Sequence, residues 1–397
     1  MRMKTLRRGG VLASLLIGLI VAYTLGLLAV YSFPDSWIEN NVNAAVAILR
    51  EEGNMEGGYA TYFWHNAYGI TDNLTDKEIY SGLLRNGRSA VDAAMRTDYA
   101  RYWHGYALLL RPLMTVFSII NVRYLNMMLM FGLFMACCWN CRQKLGAWTA
   151  FAFGAGLLTS FILIAPFCQQ YCPVYLLALL GCYLPLRFWN RLRNRLPELF
   201  LTLGSLVCFF DFLTFPVLAL GYPLLICLLM QSRENAGAGG LWLRLFVLSA
   251  VWMGGYALTW LSKALVGGVL TGQNVLEEIL SNVVFRLNGD YATDRKVTAW
   301  IAIRENLSSY FMGSNIAFWL LCGLAYALRT LSSKAALRKW LCCLPVLAVA
   351  CYPIVWYCVL QNHVRMHFWM TYRMLAVSFF SLMAYLASVG ERTGVKE

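Results

Sequence analysis

The sequence predicts an all-α, polytopic membrane fold, and three observations carry that prediction. Hydrophobic residues fill 59% of the 397 positions and charged residues only 13%, too little polar surface to cover a water-soluble globule of this size. The apolar residues fall in runs of about 17 to 22, the length at which a helix crosses a hydrocarbon layer. Basic residues concentrate in the segments between alternate runs, the pattern expected when cations stay on the cytoplasmic side.

The first run, Val11 to Val30, follows Arg2, Lys4, Arg7 and Arg8. Its length, and the lack of a small-x-small cleavage site before Ser32-Phe33-Pro34, favour an uncleaved anchor with its N-terminus inside. Residues 34–104 are too long for a simple connection and are expected to form a first outer loop with surface helices. Asp35 precedes an amphipathic stretch, Trp37 to Leu49. Thr75-x-x-Glu78 matches a capping box, and residues 88–97 suggest a third short helix. Residues 105–121 are apolar, but Arg111-Pro112 adds a charge and removes a backbone donor, so a juxtamembrane or re-entrant helix is expected there. Spans are then expected at 124–140, 146–167, 172–188, 197–213, 216–231, 242–262, 312–331, 340–360 and 372–388, with a second outer loop over 264–311. Together with the first helix these make about ten, in a single transmembrane domain over 1–397 with both termini inside.

In this register the inner segments hold 18 of the 33 Lys and Arg but 4 of the 20 Asp and Glu. Counting 105–121 as a full span would put the later basic loops outside, so that register is rejected. All four histidines then share the outer face. The net charge of +13 is spread over short loops and does not point to nucleic acid. The inner loops contain no nucleotide-binding glycine loop, which excludes a pump with its motor in this chain. Most of the thirteen cysteines sit in apolar runs as small hydrophobes; Cys168 and Cys172 alone lie near an outer turn, where a disulfide is one reading. Asn73-Leu-Thr75 and Asn306-Leu-Ser308 match the glycosylation sequon on outer segments.

Four stretches carry residues able to do chemistry. DYARYWHGYALLLRP, Asp98 to Pro112, combines a carboxylate, two arginines, a histidine and aromatic rings where a polar loop re-enters an apolar region. Arg101 and Arg111 have the planar fork that grips phosphate, while Trp103 and its neighbours suit a sugar face or an interfacial aromatic belt. His104 reads as a proton carrier or an interfacial hydrogen bonder. FFDFLTFP holds Asp211 at a sharp turn, as a structural pair or a substrate contact. WMGGYALTWLSK sets Tyr256 and Lys263 on one helical face, with a snorkelling lysine as the plain reading. NHVRMHFWMTYR puts His363 and His367 one turn apart around Arg365, with Tyr372 and Arg373 entering the last span. The histidine pair is compatible with a divalent metal, but the sequence fixes no third ligand, and no cofactor is certain. Asp35, just past the first span, is placed for a general base or for a helix N-cap.

This arrangement resembles the GT-C class of integral-membrane glycosyltransferases, and the segments RYWHGY, FDFLTFP, WMGGYALTW and NHVRMHFWMTYR are similar to those of poorly characterised bacterial multispan proteins of that type. The resemblance implies a bacterial plasma-membrane enzyme that takes a sugar from a polyprenyl-phosphate donor and passes it to a cell-envelope glycan, lipid or protein. An acidic residue of the first outer loop would be the base: Asp35, with Asp98 and Asp76 in reserve and His104 beside them. Arg101, Arg111, Lys263, His363, Arg365, His367 and Arg373 would hold phosphate and substrate, supported by Trp103, Asp211, Tyr256 and Tyr372. The chain departs from the family pattern in having no acidic pair directly after the first span, only Asp35 with Glu39 a turn later. Two other classes remain open at this stage: a transporter or lipid flippase, and a noncatalytic envelope assembly protein. The polar residues cluster at one face rather than near mid-membrane, which is not the usual transporter pattern.

Overall fold

A computed structural model describes residues 2–53, 60–61, 66–67, 71–96, 99–234, 237–287, 298–311, 314–333 and 337–390. The chain opens with α1 (Arg2–Ser32), followed by a single 3-10 turn (Asp35–Trp37) and α2 (Glu39–Glu51). A two-residue antiparallel pairing of β1 (Ala60–Thr61) with β2 (Asn66–Ala67) comes next. Three short helices follow: α3 (Asn73–Ser81), α4 (Ala90–Met95) and α5 (Tyr106–Met114). At nine residues α5 is about 13 Å long, far short of a hydrocarbon layer. The long region continues with α6 (Ile119–Leu145), α7 (Ala147–Thr159), α8 (Cys172–Leu192), α9 (Leu196–Phe210), α10 (Val217–Arg233) and α11 (Ala238–Thr271). It ends with α12 (Val275–Leu287), α13 (Ala299–Tyr310), α14 (Ser314–Ser332), α15 (Leu337–Ala348), α16 (Tyr352–Val359), α17 (Gln361–Met366), α18 (Phe368–Thr371) and α19 (Leu375–Val389).

The protein is therefore an all-α, multi-pass membrane type, in which fewer than the expected ten helices have the length to cross a membrane. Among the described residues, seven helical segments are long and apolar enough to cross a membrane: α1, α6, α8, α11, α14, α15 continued through α16, and α18 continued through α19. The other three expected spans are α7, α9 and α10, at 13, 15 and 17 residues. Local chemistry shortens α7 and α9 relative to the runs 146–167 and 197–213, while α10 covers its run 216–231. After α7, Phe161 turns to a φ of +59° and residues 165–167 form a 3-10 turn, so the apolar run 146–167 is not one helix. Asp211 ends α9 in extended backbone, and α10 starts only after Pro216.

The capping box expected at Thr75 is also displaced. Asp72 caps α3, its carboxylate accepting the Thr75 amide and the Thr75 hydroxyl, both at 3.0 Å. A charged oxygen outcompetes a hydroxyl for the free amides of a helix start. Cys168 and Cys172 are free thiols, which removes the disulfide reading. Neither sequon asparagine is exposed: Asn73 donates to Gly53 O at 3.0 Å, and Asn306 accepts from Thr371 at 2.7 Å.

At the centre lies α10, whose residues Val217 to Met230 are all buried, as a helix apolar on every side must be. It packs against α8, α9, α11 and α19. The α9–α11 crossing is the closest helix contact. A Cβ on Gly204 would stand 2.1 Å from Trp252 O, and one on Gly255 would stand 2.3 Å from Leu201 O. Two glycines facing each other's backbones let the helices touch main chain to main chain. A second core joins α1 to α2, α3, α4 and α5, closed by Cys208 and Phe209 of α9.

Polar contacts sort the helix ends into two groups. At one end Arg233 donates to Lys144 O and Leu145 O, Glu234 accepts from Trp189 and Arg193, and Arg329 donates to Ala387 O. At the other, Arg123 pairs with both oxygens of Glu52 at 2.5 and 2.8 Å, Asn362 donates to Phe285 O and His363 to Leu213 O. The basic interhelical segments thus gather at one end of the bundle and the segments rich in histidine and carboxylate at the opposite, loop end.

Candidate functional site

At the loop end, α3, Arg96, the 99–106 segment, the turn after α9, α12 and the 363–370 segment enclose a cavity of about 410 Å³. Its polar lining includes His104, His363, His367, Arg96, Arg286 and Glu78.

His104 is held there by a pinned turn. Trp103 is fully buried and its indole N–H donates to Thr259 O at 2.7 Å. The next-but-one residue, Gly105, donates its amide to Phe209 O at 2.9 Å, and a Cβ at that position would stand 2.4 Å from the same oxygen. Between them His104 adopts a φ of +55°, a left-handed conformation that histidine tolerates better than most residues. Its Nε2–H donates to Tyr99 O at 2.9 Å, which leaves Nδ1 to accept from the Tyr106 hydroxyl at 3.2 Å. Tyr106 in turn accepts from Arg96 at 3.3 Å. Burial, then the nearby Arg96, hold this imidazole well below the usual histidine range, so it is neutral.

On the facing wall His363 donates Nε2–H to Leu213 O at 2.7 Å and accepts from the Arg286 guanidinium at Nδ1. Burial, the His367 ring and Arg286 hold His363 well below its usual range. The His367 ring lies 4.9 Å from that of His363. Burial and Arg286 lower it to about 4. Among the described residues no protein group bonds its ring nitrogens, so His367 can bond whatever enters the cavity. Leu213 presents its carbonyl from a φ of +65°, in a turn tied by Asp211 to the Thr214 amide and hydroxyl. Burial pushes the Asp211 carboxyl up to about 7.

The remaining residues expected at a site fall elsewhere. Asp35 and Arg111 meet each other, not the cavity. Fully buried Arg111 donates from Nε to Val30 O at 2.8 Å, from Nη1 to Leu83 O and Asp35, and from Nη2 to Phe33 O at 2.8 Å and Asp35 at 3.2 Å. All five N–H groups are thus used inside the protein, and Arg111 acts as a staple across α1, α5 and the end of α3. The Arg85 amide donates to the second Asp35 oxygen at 2.7 Å, so this carboxylate anchors two arginine residues. Asp98 lies outside the described residues. Arg101 lies just behind the cavity wall, stacked 3.9 Å over the Tyr99 ring. Lys263 is fully buried and donates to Met95 O at 2.6 Å, with the Trp103 ring 5.7 Å away. Arg365 pairs with Glu305 at 3.0 Å. Arg373 is buried between the rings of Tyr171 and Tyr372, at 4.4 and 4.9 Å. Tyr256 stacks on Trp252 within α11.

Of the lining residues, Arg96, Tyr99 and Glu78 were not assigned to a site by sequence. Arg96 and Arg286 line the cavity, as do Tyr99, Tyr106 and the rim carboxylate Glu78. Beneath the cavity Asp76 is wholly buried, accepting the Gln169 and Gln170 amides at 2.7 and 2.9 Å. Burial raises its carboxyl to about 7 against the pull of those amides. Asp72 and Asp76, one turn apart on α3, were the available signal for this floor. Nothing local marks Arg286, which meets His363 across 77 residues.

The histidine pair does not fit a metal: His363 spends both ring nitrogens on protein partners, and the described residues hold no group of three or more His, Cys, Asp or Glu placed for one. No family model, curated protein or solved structure matches the chain.

Proposed function

We propose that this protein is a multi-pass membrane glycosyltransferase of GT-C type. It would move a sugar from a polyprenyl-phosphate donor to a cell-envelope acceptor at the loop end, in a bacterial plasma membrane with both termini cytoplasmic. The observation that carries this reading is the composition of the cavity: two guanidinium groups, neutral imidazoles, tyrosine hydroxyls and a carboxylate around about 410 Å³. Leu74, Ile79, Phe212 and Met370 complete the wall and suit the first prenyl unit of a lipid carrier.

In an inverting transfer a base takes the proton from the acceptor hydroxyl, the new glycosidic bond forms, and the bond from sugar to phosphate breaks. Negative charge then grows on the departing phosphate, where Arg286 and Arg96 stand ready to stabilise it. Glu78 replaces Asp35 as the proposed base. It stands at the cavity rim with its side chain largely exposed, and its ion pair with Lys77 at 3.0 Å is correspondingly weak. Asp35 already holds Arg111 and Arg85. His367, neutral and with no ring-nitrogen partner among the described residues, is proposed to orient a sugar hydroxyl.

The test is transfer from radiolabelled polyprenyl-phosphate hexoses by purified protein. Arg286→Ala and Glu78→Gln are expected to lower the rate by about 100-fold or more, the usual loss when a group stabilising developing charge is removed. Variants of Arg286, Glu78 and His367 that all transfer at the wild-type rate would overturn the reading. If no donor is turned over and an Arg286→Ala, Glu78→Gln double variant keeps full biological activity, the protein is a noncatalytic assembly component.

A further inference from the structure

A second cavity of about 410 Å³ lies at the basic end, between the start of α9, the end of α10 and the start of α11. Its polar lining is Arg193, Asn194, Gln231 and Arg244. Nη1 of Arg244 and Oε1 of Gln231 are buried and have no hydrogen-bond partner among the described residues. Buried polar atoms left in that state are costly, and in native proteins they usually mark a missing water or ligand. The two atoms are complementary in what they lack. The guanidinium needs an acceptor, best an anionic one, and the amide oxygen needs a donor. Leu243 and Val247, one turn apart on α11, line the same cavity and are 65% and 40% exposed, so its mouth opens onto an apolar flank. Across Trp189, whose ring lies 6.0 Å from the Arg244 guanidinium, Lys144, Arg187 and Arg191 line a neighbouring cavity and add to the positive field. Arg193 is shared with Glu234 at 3.1 Å, which leaves Arg244 as the principal cation of the site.

We propose that this cavity binds an acidic phospholipid whose headgroup carries a free hydroxyl, of the glycerol-phosphodiester kind. The phosphate oxygens accept from Arg244, the headgroup hydroxyl donates to Gln231 Oε1, and the acyl chains leave along Leu243 and Val247. The site is separate from the loop-end cavity and does not depend on the transferase reading.

Delipidated full-length protein in detergent is titrated with phosphatidylglycerol, phosphatidylmethanol, phosphatidylethanolamine and soluble glycerol 3-phosphate, and binding is read by native mass spectrometry and thermal unfolding. Phosphatidylglycerol should bind most tightly. Phosphatidylmethanol, which lacks the hydroxyl, should bind more weakly, and the zwitterionic lipid and the soluble phosphate weaker still. Arg244→Ala should weaken phosphatidylglycerol about tenfold or more, as loss of a charge-assisted hydrogen bond does. Gln231→Leu should erase the preference over phosphatidylmethanol, while Arg187→Ala, across Trp189, should preserve it. If Arg244→Ala does not fold, Gln231→Glu serves instead, because it sets a negative charge beside the phosphate and should weaken binding comparably. Phosphatidylethanolamine binding as tightly as phosphatidylglycerol, or Arg244→Ala and Gln231→Glu both binding like wild type, would overturn the proposal. Glycerol 3-phosphate matching the lipid would overturn the lipid as occupant.

Discussion

Arg111 shows how a single residue can mislead when only its neighbours in sequence are known. A lone arginine in an apolar stretch signals cost, and from its neighbours alone it was assigned to a substrate phosphate. The anion is Asp35, and the other acceptors are the carbonyls Val30, Phe33 and Leu83, which no local pattern associates with position 111. Its removal strands four acceptors at once, so Arg111→Ala is expected to cost about 3–5 kcal/mol of stability, visible as a lower unfolding temperature in detergent. Arg111→Lys should rescue little of it, because an ammonium cannot reproduce the fork. Asp76 gives a pH signature. Its folded value of about 7 lies above the ordinary aspartate value of 3.8. The folded state therefore keeps a proton that the unfolded chain has already lost over that window, and stability falls as pH rises from about 4 to 7. Asp76→Asn should reduce that slope in thermal unfolding measured at pH 5 and pH 8, leaving the comparable share of Asp211, whose carboxyl is also raised to about 7. An unchanged slope would contradict the burial argument. At His367 the sign is opposite. The imidazole stays neutral down to about 4, so transfer should hold its rate as pH drops from 8 to 5 and fall only below that. A drop centred near 6.5 would show that His367 has an ordinary histidine value.

Among the elements, α9 and α11 make the most specific demand. Gly204 and Gly255 each face the partner's main chain at a distance where no Cβ fits. Gly204→Leu or Gly255→Leu should force the helices apart, destabilise the protein by several kcal/mol and reduce the folded yield, whereas leucine at Gly254, which faces open space, should be tolerated. The elements themselves were legible to differing degrees. Long apolar runs announced α1, α6, α8 and α11, because burial in lipid or protein needs only continuous hydrophobicity. The same signal overstated α7 and α9, whose apolar runs continue past the helix into turns fixed by Phe161 and Asp211, whereas α10 keeps the length its run implied. The site was half legible. His104, His363 and His367 were named from their place in two dense polar stretches and the one-turn spacing of the latter pair, and they do share a cavity. Arg96 was not, and the bond from Arg286 to His363 was not legible, since such contacts arise only when distant segments meet.

At the scale of the whole molecule, the fold separates two chemistries along the bundle axis. Cations of the interhelical segments, with the proposed lipid cavity, occupy one end, and the histidine cavity occupies the other. The proposed transfer reaction depends on that separation, because its lipid-linked donor would be met at the loop end outside the cell. The decisive measurement is cysteine accessibility in intact cells. Glu78→Cys and Arg142→Cys, both at exposed positions, are each placed in a background lacking the exposed native Cys351 and Cys358 and treated with a membrane-impermeant maleimide. The account predicts labelling at position 78 from outside and at position 142 only after the membrane is opened. Labelling of both from the same side would contradict it.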